Sequence, residues 1–249
     1  LAPITRFVKE DIRYLINTEY HVDHIFGNYY FKSAEHVIAH QVTADEFMVV
    51  YPEINPYAYA KEAIPTDDPD GLEIFPDEAT YFADPNPPDI TVNGDTTLRV
   101  GDHTFHLLHT PGHTAGELAV HIPEERVVFA SDTVFRGCQT WLYVSDIRAW
   151  IESLERLMGL DVDAVIPGHG DVCTKRELYV QRALLMEWET EIANGIAKGW
   201  TKQECLEHNS FRDRFDVDIG QEYMLDHVIE NNVGALYDKL TAPMQPSLQ

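Results

Sequence analysis

The chain has 249 residues, of which 44% are hydrophobic, so it is long enough to form one large domain with a sizeable core. Its formal net charge of −24 disfavours a nucleic-acid partner, because binding to a phosphate backbone depends on lysine and arginine. No apolar run reaches about 18 residues, so no membrane-spanning helix and no membrane partner are predicted. Three widely spaced cysteines without a C-x-x-C pair favour a reducing compartment, and we expect a cytoplasmic protein. The start at Leu1, without a methionine, is interpreted as a truncated or processed end.

The first half of the chain predicts two short strands and a helix. IRYLINT at residues 12–18 and HVIAH at residues 36–40 are short and apolar, as buried strands are. TADEFMVV at residues 43–50 predicts a short helix, because a capping threonine precedes acidic residues. Residues 51–94 are rich in proline, aspartate and tyrosine, so loops and small helices are predicted there. This stretch is either a surface excursion or a lid beside a binding site.

Regular structure returns in the second half of the chain. TTLRVG and HTFHLLHT predict a hairpin around Gly101-Asp102, and ELAVHIP and RVVFASD predict a second strand pair. SDIRAWIESLERLMGL at residues 145–160 predicts a helix with Ser145 as its cap. DAVIPGHG at residues 163–170 predicts a buried strand that enters a glycine loop, and long helices follow. We therefore predict a core at residues 1–174, with 51–94 as a loop-rich insertion, and a C-terminal helical extension of the same domain at 175–249.

Histidine and carboxylate side chains gather in four stretches, each of which follows a predicted strand. The stretches are NTEYHVDHIFGN, HTPGHTAGE, FASDT and PGHGD, and their candidate residues are Glu19, His21, Asp23, His24, His113, Asp132 and His169. Because loops at one end of a sheet converge in layered α/β folds, we expect these side chains to share one site. Imidazole and carboxylate suit zinc, iron or manganese, and two neighbouring ions need about this many ligands.

These motifs resemble those of the metallo-β-lactamase superfamily. The family pattern is T-H-x-H-x-D-H, then G-H-T, then an aspartate after a strand, then P-G-H-G, and this chain has TEYHVDH, GHT, SDT and PGHG in that order. The resemblance spans roughly residues 12–172 and implies an α/β fold, the four-layered αββα sandwich, here followed by C-terminal helices. The strands that normally open this fold are absent before IRYLINT, which would expose a sheet edge or core face. We therefore expect a homo-oligomer, a dimer.

The resemblance also implies a role for each candidate residue. His21 and His113 belong to a first metal site, together with the position that Glu19 occupies. A second site is formed by Asp23, His24 and His169. Asp132 bridges the two sites, or binds a single ion. The implied cofactor is zinc, with one or two ions per chain.

Glu19 departs from the family pattern, which has a histidine at this position. A carboxylate binds zinc but prefers harder cations than imidazole does. Three roles stay open. Glu19 ligates a weakened first site, or it accepts a proton beside a single metal in the second site, or it turns away and is structural.

The implied function is zinc-dependent hydrolysis of a small molecule. A metal-bound hydroxide would attack an electrophilic carbon, with Asp23 or Glu19 as the catalytic residue that receives a proton or orients the water. The aromatic residues of 51–60 favour an apolar or aromatic substrate. The predicted reactions are hydrolytic dehalogenation of a chlorinated aromatic such as chlorothalonil, and lactone or ester hydrolysis. The alternatives are a mononuclear iron enzyme similar to persulfide dioxygenases and a non-enzymatic binding module on a degenerate site.

Overall fold

Two β-sheets form the centre of the fold in a computed structural model that describes residues 12–55, 57–58, 61, 75–218 and 222–243, with the backbone alone for residues 48–54. The first sheet is parallel, in the order β1-β2-β3, and consists of Tyr14–Ile16, His36–His40 and Ile90–Val92. The second sheet has the order β4-β5-β6-β7-β8, and consists of Thr96–Val100, His103–His109, Leu118–Ile122, Val127–Phe135 and Ala164–His169. Its strands pair antiparallel except for β7 and β8, which are parallel.

Helices cover the outer faces of both sheets. In chain order they are α1 (Val22–Ile25), α2 (Gln41–Ile54), α3 (Glu78–Ala83), α4 (Ile147–Met158), α5 (Arg176–Ala197), α6 (Lys202–Glu207) and α7 (Leu225–Thr241). Three 3-10 segments lie at Phe26–Phe31, Pro123–Glu125 and Glu222–Met224. Among the described helices, none is long and apolar enough to cross a bilayer.

Alternation along the strands divides the core into two layers. Leu107 and Leu118 face the first sheet and pack with Ile38, whereas their neighbours Leu108 and Ala119 pack with the helices. The helix layer is centred on large buried side chains such as Trp150 of α4 and others of α5, which include Leu185 and Trp188. The predicted four-layered α/β arrangement with C-terminal helices is thus confirmed.

Three predictions of helices and strands differ from the structure. The stretch predicted as loops contains strand β3, Ile90–Val92, which is only three residues long but pairs with β2. Helix α2 is longer than predicted. Helix α6, which begins with a capping box between Thr201 and Glu204, was not predicted. Residues 62–74 of the predicted insertion lie outside the described residues.

The predicted cap of α4 is also wrong. The carboxylate of Asp146 accepts hydrogen bonds from the N–H groups of Arg148 at 3.0 Å and Ala149 at 3.2 Å. The Ser145 hydroxyl instead donates to the carbonyl of Leu142 at 2.9 Å. Adjacent serine and aspartate are both good caps, and the turn at Leu142 decides between them.

The two sheets differ in width. Strand β7 is covered by helices on one face, but Phe129 on its other face is 41% exposed, since the described first sheet has only three strands. The homodimer and the division of the chain at residue 174 stay predictions.

Candidate metal centre

The ligand loop, residues 17–28, is closed by a pair of buried asparagines at its two ends. Asn17 and Asn28 each donate an amide N–H to the other's side-chain oxygen at 2.8 Å, and both are 2% exposed. Asn17 also donates to the carbonyl of His24 at 3.2 Å. Because buried amides need partners, this pair fixes the path of the loop between β1 and the 3-10 segment.

Thr18 attaches the ligand loop to the second sheet. Its carbonyl accepts a hydrogen bond from the N–H of Leu118 at 2.8 Å, and its hydroxyl accepts one from Ser131 at 2.8 Å. Glu19, the next residue in the chain, therefore follows a residue that is bonded to strands β6 and β7. This contact brings the first candidate residues next to the later ones.

The backbone conformation of Ser131 directs the side chain of Asp132 toward the other candidate residues. Ser131 has a φ of +50°, a left-handed conformation that is uncommon for a residue with a side chain. The pairing of β7 with β8 changes register at the same place, between Phe129 and Ser131. Such irregularities re-aim side chains beside functional sites, and here the aspartate follows the break.

The candidate residues form two ligand sets. In the first ligand set, Glu19, His21 and His113, the His21 Nδ1 lies 3.1 Å from Glu19 Oε2 and 3.1 Å from His113 Nε2. In the second ligand set, Asp23, His24 and His169, the Asp23 Oδ2 lies 3.4 Å from the Nε2 of each histidine.

Asp132 lies between the two ligand sets. Its Oδ1 is 3.2 Å from His24 Nε2, and its Oδ2 is 3.4 Å from both His113 Nε2 and His169 Nε2. All seven residues predicted from the four motifs are therefore brought together. Glu19 is fully buried and points inward, so the structure does not place it as a loop residue that turns away.

Two histidines are oriented by partners on their second ring nitrogen. His113 Nδ1 lies 3.0 Å from the carbonyl of Trp141, and His169 Nδ1 lies 2.7 Å from Asp218 Oδ2. Each partner accepts the Nδ1 proton, which leaves Nε2 free to face the centre as a ligand. Sequence reasoning missed Asp218, because it follows His169 by 49 residues and belongs to none of the motifs.

Charge in the centre is balanced between acids and imidazoles. Burial opposes charge on His24 and His169, but the carboxylates of Asp132 and Asp23 outweigh it and raise the pKa of both histidines. Burial also opposes ionisation of Asp132, but the charges of His24 and His169 hold its pKa well below its ordinary range. Burial lowers the pKa of His113 to about 4, so this imidazole is neutral at physiological pH.

The donors fit a divalent metal ion. Glu19 Oε1, His24 Nε2 and Asp132 Oδ1 are buried and have no hydrogen bond of acceptable geometry to any described residue. Buried polar atoms without partners are costly, and a cation would satisfy all three. The mixture of imidazole nitrogen and carboxylate oxygen suits zinc, iron(II) or manganese(II).

Glu117 is a further buried acid beside the centre that sequence reasoning missed. It is fully buried beside the side chain of Thr133, and neither carboxyl oxygen makes a hydrogen bond of good geometry with a described residue. Burial, together with the negative charges of Asp132 and Glu19, raises the pKa of Glu117 well above its ordinary value. The only feature of the sequence that could have indicated Glu117 is its position in HTAGELAV, four residues after His113. An acid beside the buried face of an apolar strand is uncommon.

Replacing Glu117 with glutamine is expected to stabilise the metal-free protein more at high pH than at low pH. The native state retains a proton that the unfolded state releases above a pKa of 4.5, so wild-type stability falls as the pH rises through the window up to the raised pKa. The slope is at most about 1.4 kcal/mol per pH unit, and glutamine removes it.

Urea unfolding of both proteins between about pH 5 and about pH 8 measures this difference. Glu155→Gln, on the exposed side of α4, is the control that removes a carboxylate without this effect. A Glu117→Gln stability difference that is the same at every pH would show that Glu117 is ionised in the native protein.

The family model of the metallo-beta-lactamase superfamily matches residues 5–169, which is more than half of the chain. The chain belongs to the metallo-beta-lactamase superfamily. This finding confirms the resemblance that the four motifs indicated, and the candidate residues His21 to His169 lie within the matched region.

Curated relatives of this superfamily chain include several hydrolases. The acyl-coenzyme A thioesterase MBLAC2 of Gallus gallus is 32% identical over 41% of this chain and 39% of its own length. The 2,4-dinitroanisole O-demethylase subunit alpha of Nocardioides sp. is 28% identical over 70% of this chain and 45% of its own. A hydroxyacylglutathione hydrolase of Rhizobium johnstonii is 40% identical over 31% of this chain and 30% of its own. The chain thus spans less than half the length of these relatives.

Solved structures share the superfamily fold at low sequence identity. A metallo-beta-lactamase family protein from Thermus thermophilus aligns with a TM-score of 0.62 and 18% identity, over 92% of this chain and 75% of the other. The sec-alkylsulfatase Pisa1 from Pseudomonas sp. aligns with a TM-score of 0.63 and 14% identity, over 96% of this chain and 43% of the other. At such identities the likeness establishes the fold alone.

Proposed function

We propose that this chain is a metal-dependent hydrolase of a small molecule, with zinc as the ion in one or two sites. The observation that supports it is the convergence of two ligand sets and Asp132, in which three buried donor atoms make no hydrogen bond of good geometry among the described residues. When bound, a divalent ion supplies Lewis acidity and activates water at neutral pH. The relatives named as thioesterase and hydroxyacylglutathione hydrolase support hydrolysis as the reaction type.

Asp23 is the residue that we assign to handle the proton of the attacking water. Its side chain is 31% exposed, whereas those of Glu19 and Asp132 are 0% and 4% exposed. Asp23 therefore faces the side from which a substrate and water enter. In the metal-free protein the positive charge of His24 outweighs the effect of burial and holds the pKa of Asp23 below its ordinary range, so the carboxylate is ionised. A bound divalent ion would supply this positive charge in place of the His24 proton.

Two exposed apolar side chains lie close in the chain to Trp141, which contacts the centre, and they support a small aromatic or apolar substrate. Trp141 contacts His113 through its carbonyl, and the next residues in this loop include Tyr143 and Val144, which are 63% and 45% exposed. Exposed apolar side chains beside a polar centre are typical of substrate sites.

We propose an electron-poor aromatic substrate whose leaving group is chloride or alkoxide, and a lactone or ester as the second class. The relative that covers 70% of this chain is named for an electron-poor aryl methyl ether, which supports attack on an activated aromatic carbon. In this reaction water supplies the oxygen, the bond to the leaving group breaks, and a phenol results with chloride and a proton or with an alcohol.

A substrate panel with metal analysis tests this function. Purified protein is assayed against chlorothalonil, 2,4-dinitroanisole, an aryl ester, a lactone and a thioester, in water enriched in oxygen-18. We expect zinc to co-purify, and expect the heavy oxygen on the aromatic carbon that lost its leaving group. Stoichiometric iron with oxygen consumption would instead support an oxidoreductase. Absence of metal, with a ligand-binding activity that His24→Ala leaves intact, would support a binding module.

Metal uptake by the metal-free protein is expected to release protons. His24 and His169 have raised pKa values, so they hold protons at neutral pH, and a metal ligand must be the neutral imidazole. Titration calorimetry in buffers of different ionisation enthalpy measures the number of protons released. His36→Gln, which removes an exposed histidine paired with Asp89, is the control and leaves this number unchanged. A binding heat that does not depend on the buffer would contradict the assigned protonation.

A further inference from the structure

The two oxygens of Glu19 face different ligand sets. Oε2 lies 3.1 Å from His21 Nδ1 in the first set, and it also accepts the N–H of His21 at 2.9 Å. Oε1 lies 3.4 Å from His24 Nε2 in the second set. Glu19 is accordingly a member of two metal-compatible groups, one with His21 and His113 and the other with His24 and Asp132.

Asp132 spans the two ligand sets in the same manner. Its Oδ1 faces His24, and its Oδ2 faces His113 of the first set and His169 of the second. The centre therefore contains two buried carboxylates that each reach both sets. One oxygen of each, Glu19 Oε1 and Asp132 Oδ1, lacks a hydrogen-bond partner among the described residues, and both of these oxygens lie within 3.4 Å of His24 Nε2.

A glutamate offers something that a histidine at this position does not. An imidazole turns one nitrogen toward the centre, whereas a carboxylate presents two oxygens that bind two ions at once. Two-metal sites hold their ions about 3.5–4 Å apart, a separation that a carboxylate bridge spans. Glu19 thus retains a ligand for the first set and adds one for the second.

We propose that Glu19 is a second bridging carboxylate, which together with Asp132 joins two metal ions in this chain. The inference rests on the metal centre of the proposed function, but it does not depend on the substrate. The added oxygen ligand shifts the preference of the centre toward harder ions, so manganese(II) and iron(II) bind in addition to zinc.

Manganese(II) binding to the metal-free protein tests this proposal without an activity assay. Wild type is expected to bind two ions, with an electron paramagnetic resonance spectrum that shows exchange coupling between them. Glu19→Gln retains one oxygen but loses the second, so the second ion binds at least about 10-fold more weakly and the coupling is weaker than in wild type, because Asp132 alone then bridges the ions. Glu19→His restores the family's residue and binds two ions with weaker coupling than wild type. Glu152→Gln, on the exposed face of α4, is the control and matches wild type.

The outcomes separate the inference from the proposed function. Two uncoupled ions in wild type, or coupling that Glu19→Gln leaves unchanged, would overturn the bridge and leave the metal centre intact. One ion in wild type and a second one only in Glu19→His would likewise overturn it. Failure of wild type to bind manganese, zinc or iron would overturn the bridge together with the proposed function.

Discussion

Replacing Asp132 with asparagine is expected to weaken metal binding by more than about 100-fold, since even residues behind the ligands cost about 10–100-fold when changed. One of the two oxygens becomes an amide nitrogen, which is a poor metal ligand, so a single oxygen remains where the carboxylate offered two. The substitution also removes the charge that faces three histidines at 3.2 to 3.4 Å. Hydrolytic activity on any substrate of the panel should fall to background.

Equilibrium dialysis followed by metal analysis measures the first effect, and initial rates measure the second. Asp89→Asn is a matched control, because it removes a carboxylate that pairs with a histidine at 2.8 Å on the exposed side of β2. Metal content and rates in Asp132→Asn that match those of Asp89→Asn would show that Asp132 is not a ligand.

Replacing Gly168 with alanine is expected to displace the side chain of Asp132, although no ligand residue is itself substituted. A Cβ atom at this position would lie 1.8 Å from Asp132 Oδ1, 2.8 Å from the carbonyl carbon of Ser131 and 2.9 Å from the N of Asp132. The carboxylate can swing aside, but the two backbone atoms cannot, so strands β7 and β8 must separate locally. Overpacking of this kind costs about 1–3 kcal/mol of unfolding free energy. We expect a lower melting temperature and metal affinity reduced at least about 10-fold.

Gly234→Ala provides the opposite result from the same chemical change. Gly234 lies inside helix α7, where an added Cβ meets nothing within 4 Å. Alanine there should stabilise the protein by about 0.5–1 kcal/mol and leave metal binding unchanged. If Gly168→Ala binds metal as tightly as Gly234→Ala does, the close approach of β8 to Asp132 is not needed for the centre.

The ligand positions were predictable because each follows a strand in a short polar stretch. The hairpin signal at Gly101-Asp102 and the apolar runs after it predicted β4 to β8, and the convergence of loops then placed His113, Asp132 and His169 with the ligand loop. Strand β3 was not predictable, since its three residues lie in a stretch of four between a proline pair and Asn93-Gly94, which is too short an alternation to distinguish from a loop.

Residues that affect the metal centre by contacting one of its ligands could not be identified from the sequence. Asp218 is one of 42 acidic residues, and only the folded chain shows that it meets His169. Glu117 directly precedes strand β6, and its sequence position beside an apolar run does not show that its side chain is buried. The direction of Glu19 was undecided for the same reason, because side-chain orientation depends on Thr18 and its contacts with the second sheet.

The ligands of the centre come from opposite ends of the fold: Glu19 to His24 follow the narrow first sheet, and His169 ends the last strand of the second. In the proposed holo-protein the ions therefore act as a cross-link that closes a loop of about 150 residues, as a disulfide does elsewhere. Binding at a free ion concentration 100 times the dissociation constant adds about 2.7 kcal/mol to stability. Scarcity of metal then affects more than the chemistry, because the ligand loop, residues 17–28, loses an attachment to the second sheet and is expected to open to proteases more readily.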